Sequence, residues 1–171
     1  MTHRLERLVI FALLALIAPA CLAAQFTFAN GNIQLTVPDG WPRILQSKGD
    51  PETMVFQVPD PSPDSRNALA RISVTTEQVH DIISFERFVQ ENSARAHVLP
   101  DYQADKLHST STTLRYTADD GSVQQTYVEH YSLHHGYAVV VRCVRPSHSQ
   151  AGAAWAATFD RGCASIAASI K

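Results

Sequence analysis

Two segments near the C-terminus restrict the architecture more than any other part of the chain. From Tyr137 to Val144 the residues alternate, with Tyr137, Val139, Val141 and Cys143 on one face of a strand and Ala138, Val140, Arg142 and Val144 on the other. Arg145-Pro146 ends that strand. From about Ala151 the period changes: Trp155, Phe159, Cys163, Ile166 and Ile170 step by 4, 4, 3 and 4 residues, a single apolar stripe on an alanine-rich helix. Each segment carries a cysteine on its inward face, so the helix is expected to lie on the last strand with Cys143 and Cys163 joined. The alternative is two buried free thiols that act as small apolar side chains. With no CxxC spacing, neither cysteine suggests a redox or zinc role. Gly162, inside the helix, costs about 1 kcal/mol there and is expected to permit a close approach to the sheet.

The remaining pattern is mostly strand. Gln25 to Ala29 and Ile33 to Val37 alternate around Asn30-Gly31, a pair suited to a hairpin turn. Arg43 to Gln46 and Thr53 to Val58 form a further pair, and Pro59 to Ser65 is a proline-stiffened polar loop. Leu69 to Thr76 is again a strand. Ser84 reads as the N-cap of a helix on which Phe85, Phe88, Val89, Asn92, Ala94 and Ala96 follow, ending before Leu99-Pro100. Tyr102 to His108, Thr112 to Thr117, Val123 to Leu133 and the last strand complete a meander with turns at Asp119-Asp120-Gly121 and His134-His135-Gly136. The expected class is α+β, a twisted and mainly antiparallel sheet flanked by helices, with the C-terminal helix packed on the sheet.

The N-terminus reads as an export signal. Arg4 and Arg7 precede an uninterrupted apolar run from Leu8 to Ala18, and Pro19 leads into the small residues Ala20, Cys21, Leu22, Ala23 and Ala24. Leu8 to Ala24 is 17 residues with a proline inside, at the lower limit for a membrane span of about 20 residues. The expectation is a signal peptide over residues 1–24 and a single exported domain over 25–171, about 147 residues, enough for a real core. Two processing routes stay open: cleavage after Ala23 or Ala24, or lipidation of Cys21, whose preceding Ala18-Pro19-Ala20 departs from the usual lipobox. Either route removes Cys21 from the thiol count and leaves Cys143 and Cys163 as the pair. Losing Arg4, Glu6 and Arg7, a net +1, takes the formal charge from −2 to −3, so no basic field points to nucleic acid. No further apolar run of membrane length follows.

A search for chemistry yields little. His130 and His134 share a strand face but lie roughly 13 Å apart at ~3.3 Å per residue, too far to chelate alone. His80, His97, His108 and His148 are scattered, so no metal or cofactor is expected. No Gly-x-Ser-x-Gly elbow or glycine-rich phosphate loop is present, and Ser132 beside His130 is ordinary strand spacing. The carboxylate pairs Asp119–Asp120 and Glu77–Asp81 fall in turn and loop sequences. Trp41 and Trp155 read as packing residues. Two rigid exposed segments suit partner contact: the proline loop with Pro61 and Pro63, and the hairpin tip with His134, His135 and Tyr137. Plain solvent loops are the other reading of both.

The strand that runs into Val37-Pro38-Asp39-Gly40-Trp41 resembles the opening of the Mog1/PsbP-like superfamily, which bacterial envelope proteins of the DcrB type share. The likeness continues in element order through Arg71 to Thr75, Ser84 to Ala96 and the helix Trp155 to Ile170. It implies a central antiparallel sheet flanked by helices and no shared chemistry. Members act as photosystem accessory proteins, a small-GTPase-binding import factor, envelope lipoproteins and chaperones of secreted effectors, so protein binding is their common theme. Fold analogy serves here only as a prior. The expected function is a non-enzymatic periplasmic protein-binding module, in its specific form an immunity protein that neutralises a secreted toxin. The alternatives are an envelope accessory or small-molecule or lipid-binding module, lipid-anchored or free, and a hydrolase with an unrecognised site. Mass spectrometry of the mature N-terminus is expected to find Ala24 or Gln25 first, with Cys21 lost; a diacylated Cys21 would instead establish the anchored form.

Overall fold

The computed structural model describes residues 23–63 and 69–171. The expected signal sequence up to residue 22, with Cys21, and positions 64–68 of the proline loop lie outside the described residues. Strands β1 (Ala23–Phe28) and β2 (Ile33–Pro38) pair antiparallel in a two-stranded sheet of their own. The other strands are β3 (Arg43–Ser47), β4 (Glu52–Gln57), β5 (Arg71–Gln78), β6 (Gln103–Ala104), β7 (Thr113–Asp120), β8 (Val123–His134) and β9 (Tyr137–Pro146). They form one antiparallel sheet in the order β3-β4-β5-β9-β8-β7-β6. Helix α1 (Ile82–His97) follows β5, and α2 (Gly152–Ser169) follows β9. The class is α+β, as the pattern of elements implies.

Alternation along β9 sorts the core into two layers. On one face Val139, Val141 and Cys143 join Ile72 and Val74 of β5, Met54 and Phe56 of β4, Ile33, Leu35 and Val37 of β2, and Phe159, Cys163 and Ile166 of α2. On the other face Val140 and Ala138 meet Phe88 of α1, and Val144 meets Ala96 with Tyr116 and Tyr127. A strand buried on both faces must be apolar at nearly every position, which β9 is. The stripe on α2 therefore packs as expected, and Cys143 and Cys163 form a disulfide with Cα atoms 6.1 Å apart. Closing a loop of 20 residues stabilises the fold by roughly 3 kcal/mol on the chain-entropy model. The C-terminal residue extends this layer: Lys171 N donates to Gln34 O at 3.0 Å, and Gln34 N to Lys171 O at 3.1 Å.

Several local expectations are corrected. Asp81, not Ser84, caps α1: its Oδ1 accepts from Ser84 N at 2.8 Å and from the Ser84 hydroxyl at 2.7 Å, so the helix begins one turn earlier. Asn30-Gly31 is no two-residue hairpin turn; Ala29–Gly31 is a 3₁₀ turn in which Ala29 and Asn30 have positive φ. The strand expected over 102–108 shrinks to Gln103–Ala104, because after Asp105 N donates to Arg115 O the chain turns: the Asp105 carboxylate accepts from His108 N and its carbonyl from the Ser109 hydroxyl. Asp119 and Asp120 are the last residues of β7, and the turn lies at Gly121 and Ser122. Trp155 is half-buried and donates from Nε1 to Pro59 O at 2.9 Å, so it anchors a loop as well as heading the stripe.

Gly162 does permit a close approach, but of Trp41 to α2 rather than of α2 to the sheet. A Cβ at 162 would overlap Trp41 Cη2 and lie 2.8 Å from Cζ2. The indole is thereby free to stack on Phe159, with ring centroids 6.2 Å apart. Gly162→Ala gains about 1 kcal/mol of helix propensity but overpacks the indole at a cost of ~1–3 kcal/mol, so denaturant unfolding is expected to show a net loss. In a Trp41→Phe background, which removes the clashing six-membered ring, the same substitution is expected to stabilise.

Candidate functional site

Strand β8 alternates so that Tyr127, Glu129, Tyr131 and Leu133 face α1, and Glu129 sits directly opposite Arg142 on β9. The Glu129 side chain is completely buried. Its Oε1 accepts from Arg142 Nε at 2.6 Å and from the Tyr116 hydroxyl at 2.8 Å, and its Oε2 accepts from the Tyr131 hydroxyl. Arg142 Nη2 donates to Asn92 Oδ1 at 3.4 Å, while Asn92 Nδ2 donates to Phe88 O of the preceding helical turn at 2.9 Å. The buried carboxylate thus has charge compensation and three donors, the conditions under which a buried ion can persist. Burial, then the Glu129 charge, pushes the Tyr116 and Tyr131 phenols far above their ordinary range, which keeps them protonated and donating. Burial works against the Arg142 charge, but Glu129 and the two tyrosines outweigh it and raise its pKa.

Beside this pair a groove of about 370 Å³ opens between α1 and the sheet. Arg71 and Ser73 of β5, Arg142 of β9, Tyr127 of β8 and Arg95 of α1 line it, with Ala96, Leu99 and Val144 as an apolar wall. Arg71 Nη2 pairs with Asp120 Oδ2 at 3.1 Å, and its Nη1 donates to Leu69 O at 3.2 Å. Tyr127 and Tyr116 stack with centroids 4.6 Å apart, and Tyr102 and His97 continue the ladder at 5.1 and 4.5 Å. Asp119, at one end of the groove, is hydrogen-bonded to Asp101, which raises its pKa. Sequence reading did not single out this groove. Its signal was Arg142, placed on the same strand face as Ala138, Val140 and Val144, where a cation needs a buried partner.

The residues chosen from sequence as partner contacts fall at opposite ends of the sheet. His135 and Gly136 form the two-residue turn between β8 and β9, with φ of 49° and 79°. His134 pairs with Tyr137 across it, on the face away from α1. Burial, then His135, lowers the His134 pKa. Tyr137 is half-buried and lines a polar recess of about 630 Å³ with Lys48, Glu52 and Gln78. Glu52 Oε2 there accepts from Ala29 N, and Asp50 Oδ1 from Gln78 N. Pro61 and Pro63 are exposed at the other end, about 23 Å away along seven residues of β9. Asp60 fixes that loop by accepting from Ser62 N at 2.8 Å and from the Ser149 hydroxyl at 3.1 Å.

The turn end carries something the sequence reading missed. Val79 N donates to Gly136 O at 2.8 Å, which brings the start of α1 beside the turn. Ile82 and Ile83 in its first turn are 58% and 63% exposed, and Leu133, on the α1 face of β8, is 41% exposed. His130 lies on the opposite face with its Nδ1 3.3 Å from Thr113 Oγ1, and burial, then Arg115, lowers its pKa. Among the described residues no group of three His, Cys, Asp or Glu side chains could hold a metal ion, and no helix is long and apolar enough to cross a membrane.

No family model matches the sequence, and no curated protein does. Solved structures do resemble the fold. LpqN, involved in cell envelope biogenesis of Mycobacterium tuberculosis, is 15% identical with a TM-score of 0.57, over 88% of this chain and 90% of that one. The Saccharomyces cerevisiae Ran-binding protein Mog1p is 13% identical with a TM-score of 0.53, over 89% and 96%. Cyanobacterial PsbP (CyanoP) from Synechocystis is 12% identical with a TM-score of 0.52, over 91% and 95%. At these identities the likeness concerns the fold alone, and the fold is Mog1/PsbP-like.

The buried pair generates a stability prediction. Glu129→Ala strands the Arg142 guanidinium beneath α1 and is expected to lose about 3–5 kcal/mol in denaturant unfolding. The double variant Glu129→Met/Arg142→Met replaces the pair with apolar volume and is expected to be more stable than Glu129→Ala alone.

Proposed function

We propose that this chain is an exported, non-catalytic protein-binding module of the bacterial envelope, with its contact surface at the sheet end that carries the His135–Gly136 turn. The observation behind this reading is the set of large aliphatic side chains left in solvent there: Ile82, Ile83 and Leu133. They are held on rigid elements, and apolar side chains displayed together by a packed scaffold favour association. His135, in the turn that follows β8, supplies a polar neighbour at the same end. The Cys143–Cys163 disulfide supports export, since such bonds persist in oxidising compartments, and so does the N-terminal pattern of charge, apolar run and small residues. LpqN, which shares the fold, is described as involved in cell envelope biogenesis. The absence of catalysis is part of the proposal. It is supported by Glu129, whose oxygens are both engaged by internal donors.

In its specific form the module is an immunity protein, and the same end caps a secreted antibacterial toxin. A lipid anchor at Cys21, where present, would tether the module without altering this surface. The test uses the mature chain as bait against envelope and secreted proteins, with Ile82→Glu/Ile83→Glu as the altered surface. Glutamates in a first helical turn suit the helix dipole, so the fold is expected to stay intact. The altered bait is expected to lose its partner, while Leu107→Glu, at a 91% exposed site on the loop between β6 and β7, keeps it. Equal capture by all three baits would remove this end as the contact surface. For the immunity form, cells producing the captured toxin are expected to survive with the wild-type chain and to die with the altered one.

A further inference from the structure

The geometry points to a second site, separate from the contact end: the groove between α1 and strands β5, β9 and β8 binds an oxyanion, the carboxylate or phosphate group of a small ligand whose carbon skeleton rests on Ala96, Leu99 and Val144.

The hydrogen-bond inventory of the groove leaves donors without acceptors. A guanidinium has five N–H donors. Arg142 uses Nε on Glu129 and Nη2 on Asn92, and among the described residues its Nη1 bonds to nothing. Its side chain is 32% exposed, although the carboxylate it holds is fully buried. Arg95 projects from α1 over the same groove and makes no hydrogen bond or ion pair with the described residues. Its charge is felt by Glu77, whose pKa is raised by burial, then by Asp50 and Glu91, with Arg95 opposing the rise, and by Tyr131. The Ser73 hydroxyl has no partner among the described residues either. Tyr127 is only 5% exposed, and its hydroxyl makes no hydrogen bond to the described residues. The charges that act on that phenol are Asp120, Arg71, Arg142 and Glu129, the first three of which line the groove. That hydroxyl is accessible from the groove, where it can donate to an anion.

The acidic groups here do not supply that acceptor. Glu129 is saturated by Arg142, Tyr116 and Tyr131. Asp119 is turned to Asp101. Asp120 holds one edge of Arg71, and their side chains are 53% and 31% exposed respectively. Asp120 therefore competes with an incoming anion for Arg71. A volume of about 370 Å³ suits a small molecule rather than a polypeptide segment. Planar guanidiniums favour carboxylate and phosphate oxygens over other anions because two parallel N–H bonds can form.

The competition sets the test. The mature chain would be titrated at low ionic strength with inorganic phosphate and, separately, with hexanoate, following backbone amide NMR shifts. Saturable shifts are expected at Ser73, Ala96, Tyr127 and Val144. Saturation by phosphate alone assigns a phosphate ligand, and saturation by hexanoate alone assigns a carboxylate ligand with an apolar tail. Arg95→Ala is expected to weaken binding at least fivefold, and Asp120→Asn to tighten it severalfold by freeing Arg71. Both sites are exposed and outside the buried pair, so unchanged melting curves would show an intact fold. Neither probe saturating, shifts scattered over the surface, or an Arg95→Ala chain that binds as well as wild type would overturn the site. None of these outcomes bears on the contact end, which the bait experiment tests alone.

Discussion

Adjacent residues of β9 point in opposite directions and bind the two layers of the molecule to one strand. Cys143 is joined to Cys163 of α2 on one face, and Arg142 reaches Glu129 and Asn92 under α1 on the other. β9 lies between β5 and β8, and its two faces are covered by different layers, α2 with β2 on one side and α1 on the other. A strand so placed has to be apolar on both sides, and any polar residue on it has to bring its own partner. Arg142 does this through β8, where the antiparallel register sets Glu129 directly across from it. Slipping that register by one residue would turn Glu129 toward α2 and leave Arg142 unpaired. The ion pair therefore selects one register of the central strands, the use of buried charge that has the firmest physical basis.

The pair also explains why the α1 side is open while the α2 side is closed. On the α2 side the cluster is continuous from Phe28 to Ile170. On the α1 side the apolar contacts divide into two groups, one around Phe88 and Tyr131 and one around Ala96 and Tyr116, with the Glu129 network between them. A guanidinium is planar and wide, and α1 meets it through Asn92 at 3.4 Å rather than by close apolar packing. The groove follows from that spacing: the helix that accommodates Arg142 leaves its Nη1 without a protein partner beside Arg71 and Arg95.

What the sequence made legible depended on local periodicity. The α2 stripe, both faces of β9, the cysteine pair and the buried face of α1 all come from spacings of two to four residues within a single element. The structure places Phe88, Asn92 and Ala96 inward and the two cysteines together. Trp41, read as a packing residue, packs on Phe159. The misses have a common cause in partners remote in sequence. Glu129 needs Arg142, 13 residues on, and Asn92, 50 residues from Arg142, before its burial makes sense. Trp155 donates its hydrogen bond to Pro59 O, 96 residues away, and Gly162 is explained by Trp41 rather than by its own helix. The exposed patch was missed because a cap at Ser84 leaves Ile82 and Ile83 outside the helix, whereas Asp81 caps it and puts both in its first turn. The Asp81 cap was missed because Ser84 is itself a good capping residue; here it serves as the donor instead.

The direction of β1 fixes where Ala23 stands relative to the exposed aliphatic end. Ala23 pairs with Pro38, and the strand runs from there to Phe28, whose following turn lies in the recess with Lys48 and Tyr137. The chain thus enters at the end marked by Trp41, Pro42 and the proline loop, where Gln57 N bonds to Pro42 O and Trp155 to Pro59. The His135–Gly136 turn and the first turn of α1 are at the far end of the same strands. Ala23 and the exposed Ile82, Ile83 and Leu133 thus stand at opposite ends of the domain.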